Sequence, residues 1–373
     1  MKKLGLGMMR LPLLDENDPK SVDREYVCRM VDAFLERGFT YFDTAYFYHD
    51  YQSESIVKEV LVDRYPRESF QLASKLPCSL LKEEGDQERI FEEQLKNCGV
   101  EYFDYYLLHC LHERNCVIAD RFDSYRFISR IKEEGKAKKI GFSFHDTAEV
   151  LDRILTEHPE FDFVQIQLNY LDMDDSRVQS RACHEVCLRH GKPMIIMEPV
   201  KGGILAKVPA RVERLFREVS PDASVASWAV RFAAGFENVF MVLSGMSNME
   251  QLNDNMSFME DFKPLSEAEQ AVLPKAVQMI YEDIAVACTA CRYCVEGCPQ
   301  KIEIPKYFAL YNQASHAEDK ADDARKEYGE LTASYGKASE CIRCRKCEGV
   351  CPQKIRIVDA LRKVAECFEG AAK

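Results

Sequence analysis

The sequence predicts an α/β chain, a closed (β/α)₈ barrel followed by a small, mostly helical domain rich in cysteine. Three observations carry that expectation. Short apolar runs alternate with longer amphipathic stretches up to about residue 260, the pattern of βα units whose parallel strands are covered on both faces. Eight such units fit that length, which suits a closed TIM-type barrel better than an open doubly wound sheet. After residue 285 the alternation stops and two compact cysteine groups replace it.

In chain order the strand-like runs are LGLGM, TYFDTA, FQLASKL, FDYYLLH, KKIGFSF, FDFVQIQLN, PMIIMEP and NVFMVLSG. Helical periodicity fills the gaps, in REYVCRMVDAFLERG, SESIVKEVLVDRY, ERIFEEQLKNCG and HDTAEVLDRILTEHP. Gly38, Gly99 and Gly191 follow helical runs, where a left-handed residue ends a helix at least steric cost when it is glycine. No G-x-G-x-x-G follows the first strand. GLGMMR has two glycines of that pattern but runs into a proline-containing loop, which speaks against an open dinucleotide-binding sheet. The stretch 263–285 predicts a helical connector. Between the cysteine groups lies a polar, helix-prone insert whose Tyr307, Phe308, Leu310 and Tyr311 give helices an apolar face to dock. The expected layout is a barrel over 1–262, a connector over 263–285 and a second domain over 286–373.

An apolar content of 46% is enough for a full core. Against 62 Asp and Glu stand 50 Lys and Arg, a formal charge of −12, which sets the chain against nucleic acid or an anionic membrane as partner. MKKLGLGMMRLPLL lacks the apolar run and cleavage site of a signal peptide, and no segment has transmembrane length. A cytoplasmic location is expected. In a reducing compartment, 16 cysteines in a chain of this size do not suggest a disulfide framework. Cys28, Cys78, Cys98, Cys110, Cys116, Cys183, Cys187 and Cys367 are scattered and read as buried or idle thiols. Cys183 and Cys187 share a helical face near His184, and would need further ligands to form a metal site.

The other cysteines fall into two groups: Cys288, Cys291, Cys294 and Cys298 with Pro299, then Cys341, Cys344, Cys347 and Cys351 with Pro352. Both read C-x₂-C-x₂-C-x₃-C-P, the spacing that holds [4Fe–4S] clusters. Three thiolates on one tight loop reach three irons, and in two-cluster proteins of this kind the fourth cysteine ligates the other cluster. Cys298 is therefore expected to join Cys341, Cys344 and Cys347, and Cys351 to join Cys288, Cys291 and Cys294. Tetrahedral zinc would want two C-x₂-C knuckles instead. The tail is expected to hold two [4Fe–4S] clusters on a helical, ferredoxin-like fold and to carry single electrons.

Asp43, Lys75, His109, Ser143, Gln165 with Gln167, and Glu198 each sit at or near the C-terminal end of an apolar run, the rim where barrel enzymes place their chemistry. Tyr48 follows Asp43 by five positions. Reduction of a carbonyl needs a proton donor beside the oxygen while hydride arrives at carbon. Tyr48 suits this role if its pKa, ordinarily about 10, is lowered by a cation such as Lys75. Asp43 would hold Lys75, and His109 would orient the oxygen. Singly these residues are a helix cap, a surface aromatic, a rim charge and a core histidine; on three successive strand ends they read as one site.

With these residues the chain resembles the aldo-keto reductases. FDTA followed by the tyrosine, the lysine of SKL and the histidine of DYYLLH match that family's Asp–Tyr–Lys–His tetrad. IGFSFHD, FVQIQLNY, PVKGGIL and LSGMSNMEQLNDN look familial too, so the resemblance covers about 1–260. Joined to the tail, the chain looks like the iron–sulfur-containing branch found in anaerobic bacteria. The resemblance implies NAD(P)H extended across the barrel mouth and reversible chemistry on a small-molecule carbonyl or alcohol. It sets Ser143 and Gln165 on the nicotinamide amide, and Lys201, Gly202 and Gly203 near the pyrophosphate. Ser244, Gly245, Asn248 and Asn255, within 244–255, would face the adenosine ribose. Three positions depart from the family: Phe144 replaces an asparagine, Met197 replaces the aromatic under the nicotinamide, and Asn248 stands where arginine is common. NAD and NADP therefore both stay open. A ferredoxin or another electron-transfer protein is the implied macromolecular partner.

The favoured reading is a carbonyl reductase with an electron-transfer domain. The alternatives are a reductase whose clusters feed a barrel-bound substrate or flavin, and an electron-carrier or interaction module with vestigial catalysis. The stretch CLHERNCVIADRFDS, with His112, Glu113 and Arg114, is expected to be a loop beside the substrate.

Overall fold

The computed structural model describes residues 2–316 and 321–370, so 317–320 of the helix-prone insert lie outside it. Eight strands run β1 (Leu4–Gly7), β2 (Tyr41–Asp43), β3 (Gln71–Leu76), β4 (Phe103–Leu111), β5 (Ala137–Phe144), β6 (Phe163–Gln167), β7 (Met194–Met197) and β8 (Val239–Ser244). Each pairs in parallel with the next, and β8 closes on β1 with Leu6 beside Ser244. Each expected run supplies one strand, and sequential order follows from right-handed crossovers between neighbours. The register sets Lys75 level with Leu107, and Ser143 level with Gln165.

The barrel interior is filled, not open. Tyr41, Ala73, Leu107, Phe163, Ile195, Met241 and Leu243 form one buried cluster. Glycine makes room for the rings: a Cβ at Gly5 would lie 2.9 Å from the Tyr41 ring, and one at Gly141 only 2.5 Å from the Phe163 carbonyl oxygen. Outside, helix Arg24–Glu36 starts on Asp23, whose carboxylate accepts from the Tyr26 N–H at 3.0 Å. Gly38, Gly99 and Gly191 adopt the left-handed φ their helix ends require, +76°, +69° and +62°. The SESIVKEVLV run is helical from Ser53 and finishes in a π-turn over Lys58–Val62.

The chain forms two compact units, one of residues up to Pro199 with Ala226–Leu265, the other of Val200–Val225 with residues from Ser266 on. The crossover after β7 thus groups with the second unit. Its helix Ala210–Val219 is tied to helix Glu267–Glu282 by Arg211, which pairs with Glu282 and Asp283 at 2.9 Å each, and by a Ser220–Glu269 hydrogen bond of 3.0 Å. A capping box between Ser266 and Glu269 starts the longer helix. Beyond these, the described residues of this unit form the helices Ile304–His316, Ala321–Leu331 and Ile357–Phe368, joined by the largely non-helical cysteine loops. Its core includes Ile302, Tyr307, Phe308, Tyr328, Leu361 and Val364. Among the described residues no helix is long and apolar enough to cross a membrane.

The close approach at Gly141 gives a first prediction. Gly141→Ala forces β5 off the Phe163 carbonyl and should destabilise the barrel by about 1–3 kcal/mol. Denaturant titration followed by the barrel's near-ultraviolet signal checks this; an unshifted midpoint contradicts it.

Candidate active site and thiol quartets

Lys75 is 0% exposed, yet its ammonium is fully engaged. Nζ donates to Asp43 Oδ1 at 2.6 Å and to the Thr44 carbonyl at 2.8 Å, and lies 5.1 Å from the centre of the Tyr48 ring. Burial works against the charge, but Asp43 and Tyr48 outweigh it and hold the Lys75 pKa above its ordinary value. Tyr48 reaches this position because the chain after β2 turns through His49, Asp50 and Tyr51 at φ +51°, +51° and +68° before helix Ser53–Val57. Three successive left-handed non-glycine residues are strain of the kind that gathers at functional sites.

The expected direction of the Tyr48 shift is corrected here. Burial pushes the phenol above its ordinary pKa, and Lys75 offsets this only in part. The sequence reading weighed the cation and not the desolvation. Tyr48 therefore stays protonated through the neutral range, with Lys75 placed to meet negative charge as the proton leaves. His109 stacks on Phe47 at 4.7 Å and meets the Tyr48 ring edge-on at 6.0 Å. Burial, then Lys75 and His145, drive its pKa well below the ordinary value, so the imidazole is neutral. Its Nδ1 is buried without a hydrogen-bond partner among the described residues.

A polar network that sequence reasoning missed lies beside Lys75. Glu54 Oε1 accepts from Ser74 Oγ at 2.7 Å and from Gln94 Nε2 at 2.6 Å. Gln94 also donates to the Lys75 carbonyl at 3.1 Å and accepts from the Tyr106 hydroxyl at 2.6 Å. Burial pushes the Glu54 carboxyl upward. One signal was available: Ile90, Phe91, Leu95 and Cys98 mark the buried stripe of helix Asp86–Cys98, and Gln94 falls inside it.

Around the rim, Ser143 Oγ accepts from the Cys110 N–H at 2.7 Å, with Cys110 held at φ +58°. Gln165 is buried; its Nε2 rests on Met197 Sδ at 3.5 Å, and its Oε1 has no partner among the described residues. Ser244 Oγ donates to Asn255 Oδ1 at 3.3 Å, and Asn255 Nδ2 donates to the Gln251 carbonyl at 2.8 Å. Asn248 caps helix Met249–Met259 by accepting the Gln251 N–H at 2.9 Å. Arg10, which sequence reasoning passed over, lays its aliphatic stem against Gly245, where a Cβ would meet Arg10 Cδ at 3.2 Å. The three residues set by resemblance near the pyrophosphate have partners inside the second unit. Lys201 is 3% exposed and donates to Gln353 Oε1 at 2.8 Å. Gly202, at φ +63°, lies where a Cβ would be 2.6 Å from the Thr289 backbone, and Gly203 adopts φ +100°.

In the same unit Cys288, Cys291, Cys294 and Cys351 line one pocket. Cys298, Cys341, Cys344 and Cys347 line another. The structure thus brings together the crossed quartets that the spacing suggested. The two loops repeat one backbone: Ala290, Arg292 and Lys301 at φ +52°, +67° and +52° correspond to Arg343, Arg345 and Lys354 at +58°, +57° and +49°. In the first loop the Ala290 N–H donates to Cys288 Sγ at 3.4 Å, a contact that favours the thiolate form. No three His, Cys, Asp or Glu side chains among the described residues converge as a single ion requires. Two all-thiol quartets, each drawn from both loops, suit the donor set of a multi-iron group. Burial and neighbouring thiols push Cys294 far above its ordinary value, and burial pushes Cys347 up to about 11, so cluster assembly would displace protons.

Cys183 and Cys187 are buried, and His184 Nε2 lies 3.2 Å from the Glu237 carbonyl; they form no metal site in the structure. His112–Arg114 is not the expected loop. Helix Glu113–Arg121 begins there, its Glu113 N–H donating to Asp146 Oδ2 at 2.9 Å.

The neutral His109 makes stability pH-dependent. In the unfolded chain a histidine takes up a proton near pH 6.5 that the native site refuses, so the unfolded state binds more protons below that point. Stability should fall as pH drops below about 6.5, and His109→Gln should lack that component. Denaturation midpoints measured across this range check it.

Residues 3–277 match the Aldo/keto reductase family, and residues 287–355 match a 4Fe-4S dicluster domain. Among curated proteins the chain is similar to the 9,11-endoperoxide prostaglandin H2 reductase of Trypanosoma cruzi, 24% identical over 205 residues. That match covers 54% of this chain and 63% of the relative, so the chain spans less than two thirds of that relative's length. Among solved structures it is similar to an aldo-keto reductase of Bacillus halodurans, with TM-score 0.59, 21% identity and coverage of 74% of this chain and 91% of that one. An aldo/keto reductase of Klebsiella pneumoniae in complex with NADP and acetate gives TM-score 0.58, 20% identity and coverage of 73% and 90%. At these identities the likeness shows the fold. With the family match spanning 3–277, the chain belongs to the aldo/keto reductase family of oxidoreductases and carries a 4Fe-4S dicluster region at its C-terminal end.

Proposed function

We propose that the barrel interconverts small-molecule carbonyls and alcohols with NAD(P)H, and that two [4Fe–4S] clusters held by the eight tail cysteines exchange single electrons with a carrier such as a ferredoxin. The working layout is the barrel over 1–262, the connector over 263–285 and the cluster domain over 286–373. The reading rests on the buried Lys75 ammonium, 2.6 Å from Asp43 and 5.1 Å from the Tyr48 ring centre. A buried ion pair is a poor source of stability, and perturbed groups clustered at a barrel rim point to chemistry.

A nicotinamide held near Ser143 and Gln165 would supply the hydride for the carbonyl carbon. Tyr48 donates its proton to the carbonyl oxygen, and Lys75 stabilises the phenolate left behind. Asp43 and the Thr44 carbonyl hold Lys75 in place. The neutral His109, braced by Phe47, positions the oxygen with a hydrogen bond. Gln165 Oε1, a buried acceptor without a partner among the described residues, suits the nicotinamide carboxamide N–H, and Ser143 stands level with it. In the reverse direction Tyr48 takes the alcohol proton. At the ribose end, Ser244, Gly245 and Asn248, with Asn255 of the following helix, would face the cofactor, and Arg10 against Gly245 brings the cation that the 244–255 stretch lacks. The clusters would supply one-electron chemistry; eight reduced thiol ligands suit a cytoplasmic setting.

A second reading has electrons fed from the clusters to a barrel-bound substrate or flavin. Met197 favours it, since a thioether against Gln165 replaces the aromatic that the family sets under the nicotinamide.

Tyr48→Phe should lower kcat for reduction of a small aldehyde by about 10²–10⁴-fold with the cluster absorbance unchanged; undiminished turnover sinks the first reading. Arg10→Ala should raise KM for NADPH about tenfold, as loss of a charge-assisted contact does, and KM for NADH much less. Equal effects on both nucleotides would remove Arg10 from the 2′-phosphate.

A further inference from the structure

The two cysteine loops share spacing and backbone, so the differences between them are informative. Thr289 is buried, whereas its counterpart Ile342 is 59% exposed. Cys291 is half-buried and Cys344 exposed; Tyr293 is half-buried and Lys346 exposed; Val350, 47% exposed, puts an apolar side chain where the first loop has the exposed Gly297. Within the second unit part of the first loop is covered, with Gly202 against Thr289 and Lys201 on Gln353, two positions past Cys351, although Ala290 and Arg292 stay exposed. No such cover lies over 342–346, five consecutive exposed residues.

Charge divides the loops the same way. TACRY holds one cation, Arg292, in a bidentate pair with buried Glu303 at 2.6 and 3.1 Å. IRCRK holds three, Arg343, Arg345 and Lys346. Arg345 comes no closer to Glu348 than 3.8 Å and its side chain is 76% exposed, so its charge faces water. In a chain of net charge −12, this is a local reversal of sign around an exposed thiol.

We propose that the loop Cys341–Cys351 is the docking face for an acidic one-electron carrier protein, with Ile342 and Val350 as its apolar centre and Arg343, Arg345 and Lys346 as its rim. An apolar centre within a polar rim is the anatomy of a protein interface, and electron-transfer encounters need only a small one. The acidic remainder of the chain repels an acidic partner, and the basic loop steers it. The inference rests on the electron-transfer reading of the tail. One electron leaves the reduced carrier, which is oxidised by one unit, and enters the group held by Cys298, Cys341, Cys344 and Cys347, which is reduced by one. No bond forms or breaks and no proton moves.

The test uses the full chain with both clusters loaded, prepared anaerobically, and an acidic 2[4Fe–4S] ferredoxin as probe. Binding is measured by calorimetry over a salt series, and electron transfer by stopped-flow absorbance. Affinity should fall steeply with salt. The pair Arg343→Glu with Lys346→Glu should weaken binding at least tenfold and flatten the salt dependence, and Ile342→Asp should weaken it as well. The milder pair Arg343→Gln with Lys346→Gln should fall between, which guards against a folding defect. Lys326→Glu on helix Ala321–Leu331, a single charge reversal on a different element, should change little. Equal binding by wild type and the charge-reversed pair overturns the docking face and leaves the electron-carrier reading standing. Failure of the ferredoxin to bind or reduce the wild type, while dithionite reduces its clusters, overturns both.

Discussion

The arrangement of the barrel turns on one charge, the Lys75 ammonium, removed from water at the end of β3. Stripping such an ion of its hydration costs several kcal/mol, and nothing apolar could offset that. Asp43 on the neighbouring strand and the Thr44 carbonyl just after it satisfy the ammonium directly, so β2 and β3 must stay in register. The charge then sets its neighbours. It keeps His109 neutral together with burial, and it draws Tyr48 back part of the way from the high pKa that burial alone would impose. Beside it, Glu54, Ser74 and Gln94 hold the Lys75 backbone, so the side chain that reaches the site grows from a fixed base.

The second unit obeys a different constraint. Each quartet takes three thiols from one loop and the fourth from the other, so neither set is complete unless both loops meet. The insert between them folds as helices whose Tyr307, Phe308 and Tyr328 join the core under the loops. Six non-glycine residues in left-handed conformation, three at matching positions in each loop, show how closely the backbone is dictated. Such strain persists where the surrounding structure over-determines it. The two loops share these left-handed positions but not their exposure, with Thr289 buried and its counterpart Ile342 open to solvent.

Much of this was legible in the sequence, and the reasons can be named. The strands announced themselves as apolar runs ended by polar residues, because a parallel barrel buries both faces of a strand and frees only its C-terminal end. Asp43, Lys75 and His109 could be read together because sequential strands are spatial neighbours. The quartets were legible because cluster geometry dictates cysteine spacing. Tertiary facts were not. The Glu54–Ser74–Gln94 network joins three elements, and only Gln94 on an apolar stripe hinted at it. Desolvation of Tyr48 depends on what packs over it, which local sequence does not record. Lys201 sits 152 positions before Gln353, and the spacing of neither residue could have revealed that the crossover after β7 groups with the cluster unit. The helix Glu113–Arg121 is not legible locally, because the Glu113 N–H at its start finds its acceptor, Asp146, on a distant segment.

The central claim is that hydride passes directly from nicotinamide to a carbonyl carbon beside Tyr48 and Lys75, with the clusters acting separately. Isotope transfer tests it most directly. The cluster-loaded chain is given a small aldehyde and nicotinamide cofactor deuterated at the reactive C4 position in ordinary water, and the alcohol is analysed by mass spectrometry. Deuterium on the carbinol carbon is the predicted result. Hydrogen from solvent at that carbon would contradict it.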